Sequence, residues 1–199
     1  MKIRPLGIDG AWEVVPQQHA DQRGRFLEWF QADRLAELTG HRFRTAQANL
    51  SVSARGVVRG IHYADVPPGQ AKYVTCVRGA VLDVVVDLRT GAPTFGRWEG
   101  VRLDDETRRA VYLAEGLGHG FCALTDGATL AYLCSSTYNP AAEHTVHPLD
   151  PSLGIDWPAE APVLSARDQA APPLSEVVDR LPDYARCQAL YAASRGSAR

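Results

Sequence analysis

Ala80-Val81-Leu82-Asp83-Val84-Val85-Val86-Asp87-Leu88 is the run whose reading decides the fold. Its valines favour a pleated strand over a helix, because a branched Cβ loses rotamer freedom against a helical turn. A second such run, Ala128-Thr129-Leu130-Ala131-Tyr132-Leu133-Cys134, alternates so that Leu130 and Tyr132 share one face. Working outward, β-like segments recur at 11–15, 25–30, 45–52, 57–63, 72–78, 95–103, 109–114 and 119–124, punctuated by Gly, Pro or Asp. Regular short strands with turn signals predict an all-β sandwich or barrel. Helical patterning is confined to Gln31–Leu38, Leu174–Leu181 and Tyr184–Ala193, which leaves no helices to connect the strands of a doubly wound α/β sheet. The core should occupy about 10–136. The stretch 139–173, with seven prolines but also Trp157, reads as an ordered arm before the C-terminal helices, and Arg195 to Arg199 as a frayed end.

The 199 residues are 45% hydrophobic and 22% charged, a globular composition expected to form a single domain. A chain of this length buries roughly 70% of its unfolded surface and needs no disulfide or structural metal to hold a core. The formal net charge of -2, with basic residues scattered, argues against a nucleic-acid-coating role. No apolar run has the length of a membrane span or secretory leader, so the expectation is a cytoplasmic protein. Cys76, Cys122, Cys134 and Cys187 lie far apart with no C-x-x-C pair, which reads as four reduced thiols.

A barrel wide enough for one ligand can turn polar side chains inward, and those residues carry the chemical information. Arg59-Gly60-Ile61-His62-Tyr63 would set Arg59 and His62 on opposite faces of a regular strand, but Gly60 signals a bulge that could bring both to one cavity. Lys72 opens a strand just after Pro67-Pro68-Gly69, and His119 sits between Gly118 and Gly120, where backbone and ligand can approach closely. The glycines at 116, 118 and 120 are not a dinucleotide loop, since the spacing is short and no helix follows. Taken singly, each residue reads as structural; their joint occurrence is the signal. A metal site is not expected: His62 has no neighbouring histidine, and His144 and His147 do not sit on a convincing helix.

The ordered set of motifs Asp21-Gln22-Arg23-Gly24-Arg25-Phe26-Leu27-Glu28, Gln47-Ala48-Asn49-Leu50-Ser51, Gly56-Val57-Val58-Arg59-Gly60-Ile61-His62-Tyr63, Gln70-Ala71-Lys72-Tyr73-Val74, Pro93-Thr94-Phe95-Gly96, Gly118-His119-Gly120-Phe121, Tyr132-Leu133-Cys134 and Tyr138-Asn139-Pro140 to Glu143-His144 resembles the dTDP-4-dehydrorhamnose 3,5-epimerases along almost the whole chain. The resemblance implies a cupin-type β-sandwich or jelly roll, metal-free and without cofactor. It also implies a homodimer acting on a dTDP-linked 4-keto-6-deoxy sugar, with no nucleic-acid or membrane partner. By the same resemblance His62 is the general base, Tyr132 the acid on the opposite face, Asp168 the carboxylate orienting the histidine and Lys72 the cation facing the 4-keto oxygen. Arg23, supplied by the partner subunit, Arg59 and Arg167 match positions holding the diphosphate or nucleotide sugar. Phe26, Glu28, Gln47, Ala48, Asn49, His119 and Glu143 match other substrate contacts, and Tyr138 the aromatic that stacks on thymine with Phe26 beside it. Many relatives carry Lys where Arg167 stands, so the cation is kept with a different reach. Inversion at C3, at C5 or at both stays open. So do, with less weight, a metal-dependent cupin enzyme and a non-catalytic binding module.

Overall fold

A computed structural model describes residues 1–196. In chain order the strands are β1 (Lys2–Pro5), β2 (Ala11–Val15), β3 (Gln18–Asp21), β4 (Gly24–Leu27), β5 (Gln47–Ser53), β6 (Val58–Ala64), β7 (Lys72–Arg78), β8 (Ala80–Val86), β9 (Trp98–Asp104), β10 (Ala110–Leu113), β11 (Gly118–Ala123), β12 (Ala128–Cys134) and β13 (Glu143–Thr145). The α-helices are α1 (Ala32–Thr39), α2 (Ala166–Gln169) and α3 (Tyr184–Gly196). A six-stranded sheet, β1-β2-β10-β7-β12-β5, packs face to face on a five-stranded one, β13-β6-β11-β8-β9, and β3-β4 forms a separate hairpin. This is the all-β sandwich that the strand pattern predicts.

The two sheets share an inner core in which Val74, Cys76 and Leu130 from one meet Val81, Val85, Val101 and Phe121 from the other. The period of two along each strand sends alternate residues outward. Much of each outward face is then covered, while the outer side of the edge strand β5 stays open. Leu35 of α1 and Phe43 close over Val14, Tyr73 and Tyr112 of the six-stranded sheet. The proline-rich arm lays Val146, Leu153, Trp157, Leu174, Val177 and Leu181 on Val58, Ile61, Tyr63, Val84 and Val86 of the five-stranded sheet. Helix α3 docks through Cys187 and Tyr191. Beside it Arg89, fully buried, bonds Asp87 through Nε–Oδ1 at 2.8 Å and stacks 4.9 Å from the Tyr184 ring centroid.

The segment 174–181 departs from the expected helix: it forms two 3₁₀ turns, Leu174–Glu176 and Val178–Arg180. Leu174 and Val177, three apart, are both buried, and a three-residue turn puts that spacing on one side. The run 25–30 is a strand only to Leu27, and β1, β3 and β13 were not legible as strands, being four residues or fewer. Fraying at 197–199 lies outside the described residues, while α3 itself runs to Gly196. Among the described residues no helix is long and apolar enough to cross a membrane.

Candidate active site

Strand register sets which side chains meet. In the five-stranded sheet, Thr145, His62, His119 and Val85 are successive cross-strand partners, so they form one row on one face. Val85 belongs to the inner core, whereas Ile61 and Tyr63 belong to the outer one, so the row faces inward. In the opposing sheet Lys72 pairs with Cys134 and Cys134 with Gln47, while Tyr132 pairs with Asn49. Tyr132 packs against the inner core with Leu130. His62 and Tyr132 therefore come from opposite sheets.

The bulge signalled by Gly60 is present. Between the pairs His119↔His62 and Phe121↔Arg59, β6 carries one residue more than β11, so Arg59 and His62 can both turn inward. Gly60 has φ +126°, and a Cβ there would lie 2.6 Å from the Gly120 Cα and 2.8 Å from the His119 carbonyl oxygen. Only glycine permits that approach of β6 to β11. Arg59 then reaches across to β5, donating from Nε to Ser53 Oγ at 3.1 Å and from Nη2 to the Val52 carbonyl at 3.3 Å.

Asp168 arrives from α2, whose start is capped by Ser165: Ser165 Oγ accepts the Asp168 N–H at 3.1 Å. The Asp168 carboxylate Oδ1 lies 2.8 Å from His62 Nε2. A carboxylate can only accept, so the proton sits on Nε2 and the Nδ1 lone pair is left for chemistry. Burial would raise the Asp168 pKa, but the bonds from His62, Ser165 and the Gly60 N–H prevail and hold it below the ordinary carboxylate value. Burial pushes the His62 pKa down, aided by the charges of Lys72 and His119 and opposed by Asp168. Burial lowers the Lys72 pKa as well, against the opposing influence of Cys134, Glu143 and Asp83. Burial raises that of Tyr132, keeping its phenol protonated.

The rest of the polar lining is tied together. Tyr138 N–H donates to Gln47 Oε1 at 2.9 Å, and Gln47 Nε2 to Asn49 Oδ1 at 2.8 Å; Asn49 Nδ2 then faces Cys134 Sγ at 3.7 Å. Arg167 stands at the rim, donating to the Glu143 carbonyl at 2.9 Å. The structure thus brings His62, Lys72, His119, Tyr132, Asp168, Gln47, Asn49, Arg59 and Glu143 together between the facing sides of the two sheets, with Tyr138 and Arg167 bonded to members of the group. Ala48 is different: it alternates to the exposed outer face of β5. Arg23, Phe26 and Glu28 lie exposed on or after the β3-β4 hairpin. Arg23 pairs there with Asp21 at 2.6 Å, and among the described residues no ring contact joins Phe26 to Tyr138.

Three residues the sequence reading passed over also belong here. Asp83, fully buried, accepts from His119 Nε2 at 2.8 Å, a second histidine–carboxylate pair in the same cavity. An acid interrupting the aliphatic run 80–88 was its one signal, and Asp87 in the same run shows the ambiguity, since it instead holds Arg89 and accepts from the Thr94 hydroxyl at 2.6 Å. Gln70 Nε2 lies 3.4 Å from Glu143 Oε1, and Ser53 holds Arg59. Neither contact has a local sequence signal. Among the described residues no three His, Cys, Asp or Glu side chains converge as metal ligands.

The family profile described as dTDP-4-dehydrorhamnose 3,5-epimerase matches residues 5–176. A dTDP-4-dehydrorhamnose 3-epimerase of Streptomyces niveus is 68% identical over 192 residues, 96% of this chain and 93% of that protein. A dTDP-4-dehydrorhamnose 3,5-epimerase of Mycolicibacterium smegmatis is 57% identical over 193 residues, 95% of this chain and 94% of that protein. Among solved structures, a 3'-monoepimerase from Streptomyces bikiniensis in complex with dTDP-quinovose superposes with a TM-score of 0.93 at 56% identity, covering 97% of this chain and 99% of that one.

Proposed function

The chain belongs to the dTDP-4-dehydrorhamnose 3,5-epimerase family, and on that premise we propose that it inverts C3, C5 or both of dTDP-4-keto-6-deoxyglucose. The observation that carries the reading is that His62, paired with Asp168, and Tyr132 stand on opposing sheets. Hydrogens on carbon beside a ketone are weakly acidic. His62 Nδ1 takes one, and Asp168 stabilises the imidazolium that forms. Charge moves to the 4-keto oxygen, where Lys72 meets it more strongly than the neutral ketone, which lowers the barrier. Inversion requires a proton from the other face, and the protonated Tyr132 phenol on the opposite sheet supplies it. Arg59 and Arg167 balance the diphosphate, as guanidinium groups do without a glycine-rich loop. Tyr138 stacks on thymine.

The active form is a homodimer in which the β3-β4 hairpin carries Arg23, Phe26 and Glu28 to the neighbouring site. Support comes from the position of all three outside their own cavity, and from Leu50 and Val52, 70% and 65% exposed on the outer face of the edge strand β5. Exposed apolar residues on an unpaired edge are suited to burial against a second copy. Four free thiols fit a reducing cytoplasm. The test is incubation with dTDP-4-keto-6-deoxyglucose in D₂O, followed by NMR of C3 and C5. Label and inversion at both centres indicate a 3,5-epimerase and at one centre a single-centre enzyme; label at neither refutes the reading.

A further inference from the structure

Gln70 is buried, 9% exposed, in the segment that leads into β7 two residues before Lys72. Its amide nitrogen stands 3.2 Å from the Ser136 carbonyl oxygen, 3.4 Å from Ser136 Oγ and 3.4 Å from Glu143 Oε1. Those partners are the two ends of the turn 136–143 that presents Tyr138. A primary amide has two N–H donors, so one side chain can hold both ends at once. The half of the turn beyond Tyr138 closes on itself. There the Ala142 and Glu143 N–H groups each donate to the Asn139 carbonyl at 3.0 Å, and the Ala141 N–H donates to Asn139 Oδ1 at 3.1 Å. The half that carries Tyr138 hangs on side chains instead. Gln47 Oε1 accepts the Tyr138 N–H at 2.9 Å, Gln70 donates to Ser136, and Glu143 Oε1 takes the Asn139 N–H at 3.3 Å while also facing Gln70. Tyr138 itself is 53% exposed, so the turn rather than packing sets the direction of its ring.

We infer that Gln70 is a positioning residue for nucleotide binding: by tying Ser136 to Glu143 it holds the Tyr138 ring in the orientation that receives the base. The inference rests on the reading above in which Tyr138 stacks on thymine. Gln70 acts through the turn, since its donors are spent on Ser136 and Glu143. An aromatic ring on a loose turn must be ordered at the moment of binding, a cost that a clamped turn avoids. The clamp also spans the fold. Gln70 precedes β7 and Ser136 follows β12, both of the six-stranded sheet, whereas Glu143 opens β13 of the five-stranded one, so the turn is fixed to both sheets.

The experiment has two arms. Amide hydrogen exchange of the free protein reads the turn directly: Gln70→Met, which keeps the volume and removes the donors, should speed exchange of the Tyr138 and Asn139 amides several-fold and leave those of β7 and β12 unchanged. Titration with dTDP reads the consequence. Gln70→Met should weaken binding about three- to tenfold, the ordering cost of one side chain. Gln70→Met combined with Tyr138→Ala should bind no more weakly than Tyr138→Ala alone, because the two act as one unit. Additive losses overturn the inference, as does turn exchange that Gln70→Met leaves at the native rate, or a change that spreads into β7 and β12. Gln70→Asn, whose amide falls one methylene short of both ends, gives the same comparisons should Gln70→Met fail to fold. If the native protein binds no dTDP, the nucleotide-sugar reading fails by itself, and the exchange arm still decides whether Gln70 holds the turn.

Discussion

Asp168 meets His62 from 106 positions further along the chain, oxygen to Nε2 at 2.8 Å, and this one contact assigns the tautomer that leaves Nδ1 free. His62→Asn should lower ring-proton exchange on the order of 10²- to 10⁴-fold, the usual worth of a general base, while dTDP binding changes little. Asp168→Asn should also lower it, since an amide at that place can hold the wrong tautomer. NMR exchange rates in D₂O beside a dTDP titration check both; equal loss of binding and exchange would show collapse of the site instead.

Tyr132 faces His62 from the other sheet. Tyr132→Phe should impair inversion more than abstraction, so deuterium should enter the ring with the parental configuration retained. If the variant inverts at the native rate, the donor is another group.

The pH dependence has a definite sign. The His62 pKa lies below its ordinary 6.5, so the acid limb of kcat/KM should fall below that pH. Asp168 raises the His62 pKa, so Asp168→Asn should move the limb further toward acid while reducing the rate. For stability, both groups are depressed in the folded protein. Their contribution is complete above the unfolded values and is lost as pH falls through the folded ones. Urea denaturation of native protein and His62→Asn across pH 4–7, roughly the window spanned by the two ordinary values, should show a smaller acid loss in the variant.

Leu50→Glu combined with Val52→Glu places two charges on the exposed face of β5. The expected outcome is a monomer by sedimentation that binds nucleotide sugar weakly, because Arg23 no longer reaches the site. Tight binding by the monomer would remove Arg23 from that role.

Arg89→Met should destabilise the fold by about 3–5 kcal/mol, since it strands the buried Asp87 carboxylate. Asp87→Asn combined with Arg89→Met should recover part of that loss. Chemical denaturation of the two variants makes the comparison.

The sequence by itself determined the sandwich and the long strands, because alternation and β-branching act over a few residues and are legible in runs such as 80–88 and 128–134. It also placed a warning at Gly60, since a glycine inside a strand has few other uses. Through motif order it singled out His62, Lys72, Tyr132 and Asp168, which composition and periodicity could not have distinguished from ordinary core and surface residues. Tertiary structure alone decided that Ala48 turns outward while Gln47 and Asn49 turn in, and that 174–181 winds as two short turns. It alone paired Asp83 with His119 and left Arg23 outside its own cavity. These depend on register, on the bulge and on contacts between segments distant along the chain, for which no local pattern exists. Two buried acids in one strand make the point: Asp83 and Asp87 sit in similar sequence surroundings, and only the partners across the fold make one part of the site and the other an anchor for Arg89.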